Sequence, residues 1–358
     1  MYDVMRRWAH RFFSDEEGVL LAAILIISVI VIVTMGTVLA PLLTGIVLAY
    51  VMQGTIKAME RFHVPKGVAV SITFFIFMGF FVSLLFFVIP RVWRQLQSLF
   101  QNIPAMVLRT RDLLGELRAS YPEFLSEQQV TSWVDLLNGE SAELGQWLLS
   151  FSISQLPLLV AVAVYIMLVP LLVFFILKDQ QQILAWCSSH LPREKPLLDR
   201  IGREMDQQMA NYIRGKVIEI IIVGGASYVF FKITGLEYAA LLGFLVGLSV
   251  IVPYVGFVAV TFPVLIIAYL QFGWGPEFIT TLVGYSIIQG IDGFFIVPLL
   301  FSEAVNLHPI AIITAVLVFG AWWGVWGVFF AIPLATLVKA IMSAWPQTSH
   351  TVAREASG

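Results

Sequence analysis

The sequence contains little charge and almost no cysteine. Asp, Glu, Lys and Arg make up 12% of its 358 residues, whereas 59% are hydrophobic. Soluble domains average about 25% charged residues, so this composition indicates a membrane protein with several spans. Cys187 is the single cysteine, which excludes a disulfide within the chain and a cysteine-based metal site. The net charge of −2 gives no basis for binding nucleic acid.

Motifs for catalysis and for cofactors are also missing. The five histidines form no H-E-x-x-H zinc motif, and there is no G-x-x-x-x-G-K-[ST] loop for nucleotide phosphates. No segment resembles the nucleophile elbow of serine hydrolases. We therefore expect no enzyme activity, no metal, no cofactor and no bound nucleotide. Uphill transport would depend on an ion gradient or on another protein.

The apolar runs predict an all-α, polytopic membrane protein. A bilayer core of about 30 Å takes about 20 helical residues to cross. Counted this way, the chain has about eight transmembrane helices: three in residues 1–90, one in 151–177 and the others in a bundle over 217–342. We expect the first apolar run, Val19–Met52, to be a hairpin of two short helices. The last run, Ile310–Val338, is either one long span or a broken pair.

Two polar segments, 91–150 and 178–216, separate these runs and carry twelve charges each. Both have a helical pattern of apolar residues. The first is expected to form a small helical cap outside the membrane, leaning on the bilayer or on a neighbouring subunit. The second has an apolar stripe, which suits either an amphipathic helix in the membrane interface or a helix packed against the bundle: Leu198, Ile201, Met205, Met209 and Tyr212.

The basic residues predict the orientation of the chain. They are concentrated in the N-terminal tail, in the loop 57–66 and in 178–216. If the first apolar run is a hairpin, all three lie on one side of the membrane, and the positive-inside rule makes that side the cytoplasm. Both termini, including the tail 343–358, would then be cytoplasmic and 91–150 would face outward.

Asp292 is the one acidic or basic side chain in residues 278–301. A carboxylate at bilayer depth costs at least about 2.5 kcal/mol, so such groups usually face a bundle interior or a wet cavity. Gly290 and Gly293 flank it, and Gln289 precedes them. A polar patch with helix-weakening glycines is typical of a solute or ion pathway. We predict that Asp292 binds a proton or cation there; the alternative is a protonated carboxyl that only joins helices.

A second break lies at Pro253-Tyr254-Val255-Gly256, between two apolar runs. Proline removes a backbone donor and glycine loosens a helix, so Pro253 and Gly256 would expose backbone oxygens along a pathway. A plain cytoplasmic turn between two spans explains the same residues.

Further polar residues lie at the ends of apolar runs. Lys216 can pair with Glu219 one helical turn deeper, which suggests either a lipid-headgroup anchor or a role in gating or ion coupling. Glu303 and His308 interrupt the last two apolar blocks, and His308 could relay protons near neutral pH. A histidine satisfied at the membrane interface is the commoner case.

Six short motifs carry a resemblance to a known family. They occur in this order: F-I-L-K-D at 175–179, Y-I-R-G-K at 212–216, I-V-P-Y-V-G at 251–256, Q-G-I-D-G at 289–293, L-H-P-I at 307–310 and F-F-A-I-P-L-A at 329–335. Together they resemble the autoinducer-2 exporter family, over nearly the whole chain. The family implies about eight membrane helices, a helical segment after the third span, no nucleotide-binding domain and a homo-oligomer.

The resemblance also implies a function. Members are described as exporters of the signal autoinducer-2 or as sodium/proton antiporters. We therefore expect a secondary transporter of the bacterial inner membrane, for a small polar solute or a monovalent cation. Many members have Glu-Gly-Asn where this chain has Asp292-Gly293-Phe294. The carboxylate is thus retained and the amide of the asparagine is lost. We therefore expect the change to affect a contact with a sugar-like signal more than ion coupling through the carboxylate. A non-transporting protein whose segment 91–150 recruits a partner is the second interpretation, and a passive channel is the third.

Overall fold

The protein is a bundle of long apolar helices. The computed structural model describes residues 16–120, 156–191, 196–253, 255–301 and 307–344, and no strand occurs within them. In this part of the chain six helices are long and apolar enough to cross a membrane: Val38–Arg61, Lys66–Arg111, Ala161–Ser189, Val255–Phe272, Pro276–Phe301 and Pro309–Phe329. Shorter apolar helices accompany them. The prediction of an all-α, polytopic membrane protein is confirmed.

In chain order the α-helices are α1 (Glu16–Arg61), α2 (Lys66–Ser83), α3 (Ile89–Ser120), α4 (Leu156–Ser189), α5 (Pro196–Ile233), α6 (Ala239–Ser249), α7 (Val255–Phe272), α8 (Pro276–Ile291), α9 (Val297–Phe301), α10 (Pro309–Phe329) and α11 (Ala331–Ala344). Two π-helical segments join neighbouring helices. Leu84–Val88 connects α2 to α3, and Asp292–Ile296 connects α8 to α9. A π-helical turn is wider than an α-helical turn and often marks a functional position.

The predicted hairpin in the first apolar run is wrong. Helix α1 continues through Gly36 and Pro41 without a break and has 46 residues. At 1.5 Å per residue it is about 69 Å long, more than twice the thickness of a bilayer core. The hairpin failed because Pro41 and the preceding Thr34-Met35-Gly36 are tolerated inside a long apolar helix. The side on which residues 1–15 lie depended on it and stays a prediction.

The loop 57–66 and the described parts of the segment 178–216 meet at one end of the bundle, which we call the basic end. Ile56 of α1, Val70 of α2 and Leu177 of α4 belong to one buried cluster near this end. Helix α2 therefore runs away from the basic end, and α4 returns to it.

The apolar stripe of α5 packs against the bundle. Ile201 and Tyr212 are 5% and 2% exposed, and the Tyr50 hydroxyl of α1 donates a 2.8 Å hydrogen bond to Asp206 of α5. Of the two alternatives for this stripe, the structure supports the helix packed against the bundle.

Helix α3 packs at the opposite end of the bundle. The Gln95 side chain accepts a 2.8 Å hydrogen bond from the backbone N–H of Leu241, and the Asn102 amide donates one of 2.8 Å to the Tyr238 hydroxyl. Val92 lies in the same buried cluster as Tyr238. The described part of segment 91–150 is thus helical and leans on its own chain. Residues 121–150 lie outside the described residues.

Helices α6 and α7 form a hairpin that begins and ends at the opposite end of the bundle. The Gln271 amide of α7 donates to the carbonyl of Gly235 and accepts from the N–H of Glu237, close to the start of α6. Helix α6 has 11 residues, so it is about 16 Å long and crosses half of a bilayer core. Its turn, at 250–253, therefore falls inside the bundle, which disfavours a cytoplasmic turn between two complete spans.

The last apolar run is a second hairpin. Gly324 has φ 61° and ψ −137°, a conformation open to glycine, and it breaks the helical path inside α10. The chain folds back there: a Cβ atom on Gly327 would overlap the carbonyl of Phe319. Of the two forms left open by the sequence, the run Ile310–Val338 is the broken pair.

The two ends of the bundle give a topology test. We predict that the basic end is cytoplasmic, because its loops carry the excess of Lys and Arg. In a Cys187→Ser background, Gln101→Cys and Gln181→Cys place single thiols on exposed positions of α3 and α4. A membrane-impermeant thiol reagent should label Gln101→Cys on intact spheroplasts and label Gln181→Cys only after lysis. The reverse pattern would overturn the orientation.

Candidate functional site

A cavity of about 780 Å³, partly open to the outside of the protein, lies between the helices of the bundle. Its walls come from α5, the α6–α7 turn, α8, α9 and the second hairpin. Five residues predicted from the sequence line it: Glu219, Pro253, Gln289, Asp292 and Gly293. The structure therefore brings together polar residues that are up to 74 positions apart in the chain.

Asp292 is the first residue of the π-helical segment that follows α8. Its side chain is 8% exposed, and its Oδ1 atom is buried without a hydrogen-bond partner among the described residues. An acceptor left unpaired in this way costs free energy. The carboxylate therefore has capacity to bind a proton, a cation or a donor on a ligand.

A buried ion pair lies beside Asp292. The Lys216 ammonium donates a 2.8 Å hydrogen bond to Glu219 Oε2, and the two side chains are 5% and 2% exposed. The positive charge of Lys216 also attracts the carboxylate of Asp292, whereas the carboxylates of Asp292 and Glu219 repel each other. Removing one partner of such a pair typically costs about 3–5 kcal/mol, because the other charge stays buried.

Close packing around α5 positions this ion pair. Gly215 faces the ring of Phe301, whose centroid lies 5.1 Å from Lys216 Nζ, a cation–π distance. One turn earlier, the Tyr212 hydroxyl donates a hydrogen bond of 2.8 Å to the carbonyl of Phe329 in the second hairpin. These contacts hold the part of α5 that carries Lys216 against α9 and against that hairpin.

Glycines bring α6 close to α5. A Cβ atom on Gly224 would lie 3.0 Å from the Cα atom of Gly247, which is the close contact expected of small residues at helix spacing. Because α6 lies against α5 here, its turn and Ser249 are held beside Glu219 at the cavity.

A hydrogen-bonded chain of side chains fixes the wall above Asp292. The Gln289 amide donates a hydrogen bond of 2.8 Å to the Tyr285 hydroxyl, which lies 3.2 Å from the Thr261 hydroxyl of α7. Tyr285 is 2% exposed. The polar neighbour predicted for Asp292, Gln289, is therefore held in place between α7 and α8.

Two other predicted residues, Gly256 and His308, do not line the cavity. Gly256 packs against the backbone of Ser249, where a Cβ atom would overlap the Ser249 carbonyl. His308 is exposed, and its Nδ1 accepts a 3.3 Å hydrogen bond from the N–H of Ile310, which caps α10. Glu303 lies outside the described residues. A proton relay through His308 stays a prediction.

Sequence reasoning paired Lys216 with Glu219 but missed their position beside Asp292. It also missed Tyr212 as a cavity residue. Tyr212, Lys216 and Glu219 are spaced i, i+4 and i+7, which places them on one face of α5. That spacing was the available signal.

Helices that are short or broken beside a charged cavity, as α6 and α10 are here, are typical of membrane transport proteins. Comparison with known proteins agrees, and this chain belongs to the AI-2E family of transporters, whose family model matches residues 20–347. It is 42% identical over 346 residues to a protein of Escherichia coli (strain K12) named as a permease, PerM; the alignment covers 97% of this chain and 98% of the relative.

A more distant relative from Bacillus subtilis (strain 168) is named as a transport protein, YueF. It is 25% identical, with 86% of this chain and 84% of the relative aligned. Both resemblances extend over most of each protein. The prediction of the family is confirmed.

The contact at Gly256 tests the α6–α7 hairpin. Gly256→Ala should destabilise the protein by about 1–3 kcal/mol, because the added methyl group forces the two backbones apart. Gly293→Ala is the matched control, since a Cβ atom there meets no other atom within 4 Å. Thermal unfolding in detergent should show a lower transition temperature for Gly256→Ala alone. Equal transition temperatures for Gly256→Ala and wild type would contradict this packing.

Proposed function

We propose that this protein is an ion-coupled secondary transporter of the bacterial inner membrane. Its solute would occupy the cavity, and its coupling ion, a proton or another monovalent cation, would bind Asp292. One observation carries the proposal: Asp292 Oδ1 is buried without a partner among the described residues, beside an ion pair that already uses Lys216.

The charges of the cavity support coupling to a single positive charge. Among the described residues, the charged ones that line it are Lys216, Glu219 and Asp292. When both carboxylates are ionised, these residues sum to −1. A buried net charge is unfavourable, and one proton or one monovalent cation bound at Asp292 would neutralise it. Exchange of the two would couple the movement of one to the gradient of the other.

Two versions of this function differ in what occupies the rest of the cavity. A volume of about 780 Å³ is within the usual range of small-molecule sites, roughly 300–1,000 Å³, which supports a transported solute. A sodium/proton antiporter would need Asp292 and its neighbours alone. The size of the cavity favours the solute transporter, and the unpaired carboxylate is consistent with both.

The non-transporting interpretation has weaker support. It relied on segment 91–150 as a docking surface for a partner protein. In the structure, Val92, Leu96 and Leu99 of that segment pack against the cluster around α6, so this apolar face is already occupied by the chain itself. Homo-oligomer formation stays a prediction of the family resemblance.

Asp292 variants test the proposed coupling in proteoliposomes. Asp292→Asn keeps the size of the side chain but cannot exchange a proton or pair with a cation. It should insert normally and lose flux driven by a proton or sodium gradient, together with the pH dependence of that flux between about pH 6 and 9. Asp292→Glu restores the side chain common in the family and should keep most activity.

Glu277→Gln provides the matched control, because Glu277 is an exposed carboxylate at the start of α8, the helix that leads to Asp292. It should transport like wild type. If Asp292→Asn transports at the wild-type rate with an unchanged pH profile, the carboxylate has a structural role and the proposed mechanism is wrong.

A further inference from the structure

We infer that the cavity binds an amphipathic organic monovalent cation, a protonated amine with an apolar body, whose ammonium group donates to Asp292. This inference rests on the proposed function, because it names the class of solute that the same cavity would carry. It follows from three independent properties of the lining: its polarity, its spare hydrogen-bonding capacity and its charge.

The walls of the cavity are mainly apolar. Phe257, Leu282, Phe294, Val297, Phe301 and Ile312 line it. Apolar walls with a few placed polar groups are typical of sites for drug-sized ligands. A sugar-like solute would leave hydroxyl groups against these side chains without partners, which is unfavourable. An apolar ligand body would instead be removed from water by the same surfaces.

Most hydroxyl hydrogens of the described cavity residues already have an acceptor within the protein. Ser249, Thr261 and Ser286 each donate to a backbone carbonyl within their own helix. The Thr261 and Tyr285 hydroxyls lie 3.2 Å apart, and either can be the donor in the hydrogen bond between them. The Tyr212 hydroxyl donates to the carbonyl of Phe329.

The spare capacity that remains is mostly of the acceptor type. Asp292 Oδ1 has no partner among the described residues. The Gln289 amide nitrogen donates one of its two hydrogens to Tyr285, and the amide oxygen is an acceptor. Lys216 is the cationic donor of the cavity, and Glu219 already takes one of its hydrogens. A ligand that complements this lining must bring donors, as an ammonium group does.

The charge of the lining has the same consequence. Among the described lining residues, the charged groups near Asp292 are Lys216 and Glu219 of α5. Two tyrosines, Tyr212 and Tyr285, are the other titratable groups. The lining residues of α6, α7, α10 and α11 include no charged or titratable group. A bound anion would raise the buried charge from −1 to −2, whereas a monovalent cation would neutralise it. Phe257 and Phe294, both exposed, add aromatic faces that attract cations.

Protons and the cation would compete for one carboxylate. Protonated Asp292 is neutral and no longer attracts the ammonium group, so binding of the amine should weaken as the pH falls. Exchange of one proton for one organic cation then links this solute to the proton gradient.

Three probes of similar shape test the inference. Phenylbutylamine, phenylbutanol and phenylbutyrate share an apolar body and carry a cation, a neutral donor and an anion. Binding of radiolabelled phenylbutylamine to protein in nanodiscs, corrected with empty nanodiscs, should be saturable. Phenylbutanol and phenylbutyrate should displace it at least about tenfold less well than the unlabelled amine, because they lack the charge that Asp292 pairs with.

The variants give a second line of test. Asp292→Asn should bind the amine at least about tenfold more weakly and lose the pH dependence of binding, whereas Asp292→Glu and Glu277→Gln should retain both. Equal binding of phenylbutanol and phenylbutylamine to wild-type protein would overturn the inference without any variant. So would equal amine binding by wild type and a correctly folded Asp292→Asn protein.

The two proposals can fail separately. If gradient-driven sodium flux depends on Asp292 while phenylbutylamine does not bind, the proposed function stands and the organic-cation inference is wrong. If phenylbutylamine binds in an Asp292-dependent way but neither it nor sodium crosses the proteoliposome membrane, the cation site stands and the proposed transport function is wrong.

Discussion

Two carboxylates and one ammonium group line the cavity of this bundle, and among the described lining residues no further cation balances the second negative charge. Lys216 and Glu219 form a hydrogen-bonded pair at 2.8 Å, so Asp292 is the group left over. In a low-dielectric interior a charge without a partner is far more costly than at a surface. Asp292 is therefore expected to alternate between binding a proton and binding a cation. The proposed coupling and the proposed solute class both follow from this constraint.

The fold supplies the conditions for this constraint. Helix α6 is half as long as a span and turns inside the bundle, while the second hairpin folds back at Gly324. Non-helical backbone at membrane depth is tolerated where it lines a cavity or is buried in protein. The contact between Gly224 and Gly247 keeps α6 against α5. The charges, the turn and the cavity thus depend on the same few close contacts.

Much of this arrangement could be predicted from the sequence because membrane insertion leaves strong local signals. A lone Asp292 between apolar residues and the i, i+3 spacing of Lys216 and Glu219 can be read without a structure. The proximity of these residues could not, since it depends on how α5 and α8 pack. The predicted hairpin in α1 was wrong because a proline within an apolar sequence is compatible both with a turn and with a continuous helix. Gly256 was assigned to a pathway, although its role in the structure is to pack against Ser249.

The number of protons released when a cation binds tests the central claim most directly. Purified protein in a weakly buffered solution, at several values between about pH 5 and 8, would be titrated with sodium and then with phenylbutylammonium while a pH indicator is followed. The account predicts release of close to one proton per wild-type chain with at least one of these cations, and none from Asp292→Asn. Equal proton release by Asp292→Asn and wild type, or no release by wild type with either cation, would contradict it.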